Sequence, residues 1–131
     1  MKNMQRLFKV VVFAVLALVI ASCKPSIVGE WQFVKAECYE EGELLEVDED
    51  SDYWSLMFFE DGTGWEREYD EESSFYWICD DDRLYMDEFP LNQLDNVGWF
   101  DVKSLKENEL QLMWKELDYD YMEVYIFKKI K

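Results

Sequence analysis

Short runs of β-branched and aromatic residues, each followed by a turn signal, recur along the chain after residue 28. No stretch shows sustained helical periodicity, and the only prolines are Pro25 and Pro90. The pattern predicts an all-β domain with strands at Gly29–Cys38, Tyr53–Glu60, Gly64–Asp70, Phe75–Cys79, Arg83–Asp87, Trp99–Leu105, Glu109–Leu117 and Tyr121–Ile130. Eight short strands joined by tight turns form either a closed antiparallel up-and-down barrel or a sandwich.

Large side chains occupy every second position in several runs, as expected where one face of a strand is turned into an apolar interior. The alternating sets are Trp54, Leu56 and Phe58; Phe75, Trp77 and Cys79; Leu110, Leu112 and Trp114; and Tyr121, Glu123, Tyr125 and Phe127. We select as candidate ligand-cavity residues Trp54, Leu56, Phe58, Trp77, Trp99, Trp114 and Tyr125. The alternative is that such side chains simply fill the interior of a small barrel.

The first 22 residues have the organisation of a bacterial lipoprotein signal peptide. A short basic start precedes the apolar run Val10–Ala21, which is too short to span a bilayer comfortably. The run ends in Ile20-Ala21-Ser22-Cys23, which resembles a lipobox, where small residues expose the bond before a cysteine that accepts diacylglycerol. The alternative is an uncleaved membrane anchor that ends in cysteine by chance.

The lipobox predicts cleavage after residue 22, lipidation of Cys23, a tether over residues 23–26 and a barrel domain over residues 27–131. Basic residues at the start orient the segment with its N-terminus in the cytoplasm, so the barrel is extracytoplasmic. We expect a protein anchored by acyl chains in the bacterial cell envelope. Because Lys24 rather than an acidic residue follows the cysteine, the outer membrane is the expected location.

The first strand opens with Ile27-Val28-Gly29-Glu30-Trp31, which resembles the Gly-x-Trp signature of lipocalins. Segment 59–64 resembles the strand–turn–strand that follows in small bacterial lipocalin-like domains, and segments 108–112 and 125–129 resemble their last two strands. The resemblance covers nearly all of residues 27–131 and implies an eight-stranded antiparallel up-and-down barrel. The chain leaves no room for the C-terminal helix of full-length lipocalins.

In that family the tryptophan closes the base of the barrel, and a basic residue from the last strand lies across it. The resemblance therefore assigns Gly29 and Trp31 to barrel closure, with Lys128 or Lys129 as the base that contacts the indole by a cation–π interaction.

The chain has 30 acidic and 13 basic side chains, which give a formal net charge of −17. Such a polyanion is repelled by phosphate backbones, which argues against nucleic acid as a partner. Histidine is absent, and this removes Ser-His and Cys-His catalysis and most zinc and copper sites. Paired carboxylates arise by chance at this acid content, so we expect no enzyme activity, catalytic residue, metal or cofactor.

The segment from Glu40 to Asp52 is the most acidic part of the chain, with eight acids in thirteen residues. It predicts a solvated, mobile loop at the open end of the barrel. Residues 48–52 resemble the first half of a calcium loop, but Tyr53 stands where an EF-hand needs glycine. A loose calcium site is the alternative to a loop that only adds solubility.

Cys38 and Cys79 remain once Cys23 is lipidated. An oxidising compartment favours a disulfide between them. They end the first and fourth predicted strands, which are not neighbours in a meander, and a bridge needs Cα atoms within about 7 Å. Their pairing stays open at this point.

Two functions of different class fit the sequence. The aromatic-rich strands and the lipocalin resemblance favour a monomeric, lipid-anchored binding module for a small apolar ligand. The negative charge and the short chain favour a filled barrel that binds a cationic partner through its acidic rim.

Overall fold

The structure is a computed structural model, and it describes residues 26–50, 53–80, 82–94, 97–116 and 118–130. The strands in these residues are Gly29–Glu40 (β1), Glu43–Asp48 (β2), Trp54–Phe58 (β3), Thr63–Glu68 (β4), Glu71–Asp80 (β5), Arg83–Asp87 (β6), Trp99–Leu105 (β7), Glu109–Lys115 (β8) and Tyr121–Lys129 (β9). This described part contains no helix of the length and apolarity needed to cross a bilayer. The predicted signal peptide and Cys23 lie outside it.

Eight of the strands form a closed antiparallel barrel. β1 pairs with β3 through residues 29–32 and with β9 along most of its length. From β3 to β9, each strand pairs with the next strand in the sequence. The ladder closes within residues 29–129, so the chain from Ser26 onward contains the whole barrel. The expected eight-stranded up-and-down barrel is confirmed, and the sandwich is excluded.

The remaining strand, β2, corrects the prediction of an acidic loop at residues 40–52. It pairs with the second half of β1 in a hairpin whose turn residues Glu41 and Gly42 have φ angles of 51° and 80°. Two left-handed residues form the turn that best matches the twist of a hairpin. Every side chain of β2 is exposed, so backbone pairing forms this strand while its acids stay in water.

The core fills the half of the barrel that includes the start of β1. Its buried side chains come from the inward faces of the strands and include Trp31, Phe33, Leu56, Phe58, Phe75, Leu84, Leu110, Leu112 and Phe127. Gly64 lies directly beside one of these rings, because a Cβ at this position would stand 2.6 Å from Cζ of Phe75. The predicted inward faces of β3, β5, β8 and β9 therefore supply much of the core.

Candidate functional site

One end of the barrel, which we call the closed end, is sealed around Trp31. Gly29 begins β1 with φ 134°, a conformation that favours glycine, and Trp31 follows with no solvent exposure. The indole Nε1–H donates to the carbonyl of Ile27 at 2.7 Å, and Nζ of Lys129 lies 5.5 Å from the ring centroid. Lys128 is exposed, so Lys129 is the base that lies over the indole.

The opposite end, which we call the open end, carries the β1–β2, β4–β5, β6–β7 and β8–β9 connections. Side chains at inward positions become more exposed to solvent toward the open end. On β8, Leu110 and Leu112 are 0% and 1% exposed, whereas Trp114 is 37% exposed. On β9, Phe127 is buried, and Tyr125 and Glu123 are half-buried. The interior is therefore packed at the closed end and reached by water at the open end.

Glu123 places a carboxylate inside this open half. Tyr121 donates its hydroxyl to Oε1 of Glu123 at 2.7 Å, and Tyr125 donates to Oε2. The hydrogen bond to Glu123 and a second one to Cys38 raise the pKa of Tyr121. Burial, followed by the hydrogen bond to Glu123, raises the pKa of Tyr125. Both phenols therefore stay protonated and keep donating to the carboxylate.

A second carboxylate, Glu66, faces the interior from β4. It pairs across the ladder with the buried Leu56, and its Oε1 accepts a 2.8 Å hydrogen bond from the indole Nε1–H of Trp54. Burial raises the pKa of Glu66, partly offset by the bond from Trp54. The ring of Trp54 contacts that of Tyr125 edge-on at 5.6 Å, so aromatic rings connect the surroundings of the two carboxylates.

A depression in the barrel wall adjoins the same region. The pairing of β7 with β8 stops at Asp101↔Met113, although β7 begins at Trp99 and β8 continues to Lys115. A cavity of about 280 Å³ occupies this place, lined by Arg83, Gly98, Trp99, Asp101, Trp114 and Lys115. Trp114 is the inward-facing residue of this lining, with Glu123 as its cross-strand neighbour, whereas Arg83, Trp99 and Asp101 belong to the outer face.

Comparison with known proteins supports the fold. The chain resembles a crystal structure of a lipocalin-like protein from Bacteroides uniformis with a TM-score of 0.53 and 18% sequence identity. The similarity covers 79% of this chain and 98% of that one. The barrel is lipocalin-like. No family model matches the sequence, and no curated protein is similar to it.

The seven predicted cavity residues lie in four different environments of the lipocalin-like barrel. Trp54, Trp114 and Tyr125 lie at the open half, whereas Leu56 and Phe58 belong to the buried core.

Trp77 lies near the closed end, where its indole Nε1–H donates to the carbonyls of Phe59 and Thr63. Trp99 lies on the outer face, beneath Arg83 at 4.6 Å. A bulge between Val102 and Ser104 shifts the alternation of β7 by one residue, which turns Trp99 outward.

Sequence reasoning missed the two interior carboxylates of the lipocalin-like barrel as site residues. Glu123 was visible as the one acid in the inward series of β9, between Tyr121 and Tyr125. Glu66 carried no such signal, because Trp65 and Tyr69 lie on the opposite face of its strand, and alternation favours an aromatic face over an acidic one as the buried face.

The cysteines and acids of the described residues form no cross-link or metal cluster. Cys38 faces Glu123 across the β1–β9 ladder, whereas Cys79 lies at the exposed end of β5, and no disulfide joins them. The described residues contain no group of three or more cysteines and acids arranged to hold a metal ion.

Proposed function

We propose that this protein is a binding module for a small, largely apolar ligand that enters the open end of the barrel. The exposure gradient along the inward positions carries the proposal, since a barrel filled throughout would bury Trp114 as deeply as Leu112. Ligand sites in barrels are found at their mouths and combine aromatic walls with a few polar groups. Trp54, Tyr125 and Trp114 supply the aromatic walls here. Binding without catalysis is the proposed activity.

We also propose that acyl chains on Cys23 hold the barrel at the bacterial cell envelope, in the outer membrane. The first strand begins at the closed end, so a tether over residues 23–26 would enter the barrel there. The mouth would then point away from the membrane surface, where a soluble ligand can reach it.

Thermal unfolding of residues 26–131 in the presence of fatty acids and hydrophobic fluorophores tests ligand binding. A ligand at one hundred times its dissociation constant adds about 2.7 kcal/mol to stability. Trp114→Ala should weaken the shift, whereas Trp65→Ala, which removes an indole covered by Arg67 on the outer face, should leave it unchanged. Equal shifts for the two variants would place the ligand elsewhere.

One observation favours the second candidate function, an acidic interaction surface. The exposed strand β2 presents Leu44, Leu45 and Val47, which are 51%, 59% and 38% exposed, between acidic side chains. Apolar groups within an acidic surface suit a cationic protein partner. Salt-sensitive binding to a basic protein, lost on replacing Glu43–Asp48 and accompanied by no ligand-dependent melting shift, would favour this function.

A further inference from the structure

The accessible half of the barrel interior is acidic. Glu66 and Glu123 lie on β4 and β9, which β1 and β3 separate in the barrel wall, and each accepts hydrogen bonds from aromatic side chains. Both carboxylates are half-buried, so bulk water screens them less than it screens the acids on the outer surface.

Four basic side chains of the described residues contact other groups. Lys35 and Arg67 bond to Glu37 and Glu72 on the outer face, and Arg83 lies over Trp99 on the outside of the barrel. Lys129 faces inward, but it covers Trp31 at the closed end. Within the described residues, no salt bridge joins Glu66 or Glu123 to a base, although Arg83 and Lys115 line the cavity on the outer side of Trp114.

Aromatic rings surround Glu123 on several sides. Tyr121 and Tyr125 donate to it, Trp114 is its cross-strand neighbour, and the rings of Trp114 and Tyr121 lie 6.4 Å apart. Phe100 packs edge-on against Tyr125 at 6.1 Å. Electron-rich faces next to a carboxylate are the arrangement that attracts an organic ammonium group, because cation–π and charge-assisted contacts act together.

The rim adds a field of the same sign. Glu68 and Glu71 pair across the β4–β5 ladder on the face that continues from Glu66, and both are exposed. Clustered charge at an entrance raises the local concentration of ions of opposite sign and repels like ions. The rim therefore favours entry of cations over entry of anions such as fatty acids.

We propose that the ligand of this barrel is a small organic cation, an ammonium group on an apolar body, whose charge is attracted by Glu123 and Glu66. The inference rests on the proposed binding function. The exposure gradient along the inward positions defines the site, and the interior carboxylates with their aromatic neighbours set the charge of the ligand.

The test compares probes that share a body and differ in charge. Butyl, 2-phenylethyl and octyl bodies are each used as the ammonium, the alcohol and the carboxylate. Binding to residues 26–131 is measured by isothermal titration calorimetry. For at least one body, the ammonium should bind ten times more tightly than the alcohol, and the carboxylate should bind most weakly.

Matched variants assign the preference to the interior. Glu123→Gln and Glu66→Gln should each reduce the affinity for the ammonium probe at least fivefold more than the affinity for the alcohol probe. Glu37→Gln is the control, because Glu37 precedes Cys38 on β1 and faces outward beside Lys35. Thermal melts followed by circular dichroism establish that each variant is folded. If a variant does not fold, the comparison of probes on the wild-type chain still tests the proposal.

The possible results bear differently on the cationic ligand and on the proposed binding function. Equal affinity for ammonium and alcohol, or tighter binding of the carboxylate, overturns the cationic ligand and retains a binding module. An ammonium preference that Glu37→Gln abolishes as strongly as Glu123→Gln also overturns it, since the outer surface would then be responsible. No binding of any probe overturns both the cationic ligand and the proposed binding function.

Discussion

Replacement of Trp31 by alanine removes the largest side chain of the closed end. Deleting a fully buried tryptophan costs about 3–5 kcal/mol. The buried carbonyl of Ile27 also loses the indole N–H that it accepts at 2.7 Å, which costs a further ~1–3 kcal/mol if it stays unpaired. A domain of this size has a total stability of about 5–15 kcal/mol. We therefore expect Trp31→Ala to be largely unfolded, or to melt at least ~15 °C lower.

Urea unfolding of residues 26–131, followed by far-ultraviolet circular dichroism, measures the loss without depending on tryptophan fluorescence. Trp31→Phe separates the two terms, because it keeps most of the ring bulk and loses the N–H, and should cost about 1–3 kcal/mol. Trp65→Ala is the control, with an expected cost of about 1 kcal/mol for an outer indole beneath Arg67. If Trp31→Ala stays within ~1 kcal/mol of wild type, the account of the closed end is refuted.

Three further changes test other parts of the account. Burial raises the pKa of Glu66, so the folded chain binds this proton more tightly than the unfolded chain does. The contribution of Glu66 to stability is therefore most favourable below its unfolded pKa and is lost as the pH rises through its folded pKa. Glu66→Gln should remove this loss and raise the melting temperature at pH 7, as differential scanning calorimetry at several pH values would show. Cys23→Ala should leave unprocessed precursor without acyl chains, whereas Cys79→Ala should be lipidated normally; metabolic labelling with a fatty acid measures this. Replacement of residues 41–50 by a Gly/Ser linker should shift the melting temperature by only a few degrees, because all side chains of β2 are exposed.

Each of these three expectations has its own contradicting result. An unchanged pH dependence in Glu66→Gln would mean that the carboxylate is solvated in the folded state. Fatty-acid labelling of the Cys23→Ala protein would exclude the lipobox. A linker variant that fails to fold would show that β2 stabilises the barrel despite its exposure.

Alternation made most of the barrel readable from the sequence, since a side chain at every second position identifies the buried face wherever a strand is regular. It placed Leu56, Phe58, Leu110, Leu112 and Phe127 on inward faces, and all five lie in the core. Two features were not predicted by alternation. The bulge in β7 moved Trp99 outside, and backbone pairing produced a strand from residues whose acids indicated a loop.

The polar residues of the candidate site were harder to predict from the sequence, because their surroundings come from neighbouring strands and not from nearby residues in the chain. Glu66 is opposite Leu56, and Glu123 is opposite both Cys38 and Trp114. Register across strands decides which acids face the interior, and the sequence of a single strand does not contain that register. The signature at Gly29 and Trp31 identified the closed end because its residues are near one another in sequence.

The most direct test of the account is a ¹⁵N–¹H correlation spectrum of residues 26–131 titrated with 2-phenylethylammonium, read at the tryptophan indole N–H signals. Trp54 donates to Glu66 and Trp114 lies opposite Glu123, so ligand in the open half must perturb both. These two signals should shift together to saturation while those of Trp31 and Trp65 stay fixed. Shifts centred on Trp65, or no shift at Trp54 and Trp114 at saturating ligand, would contradict it.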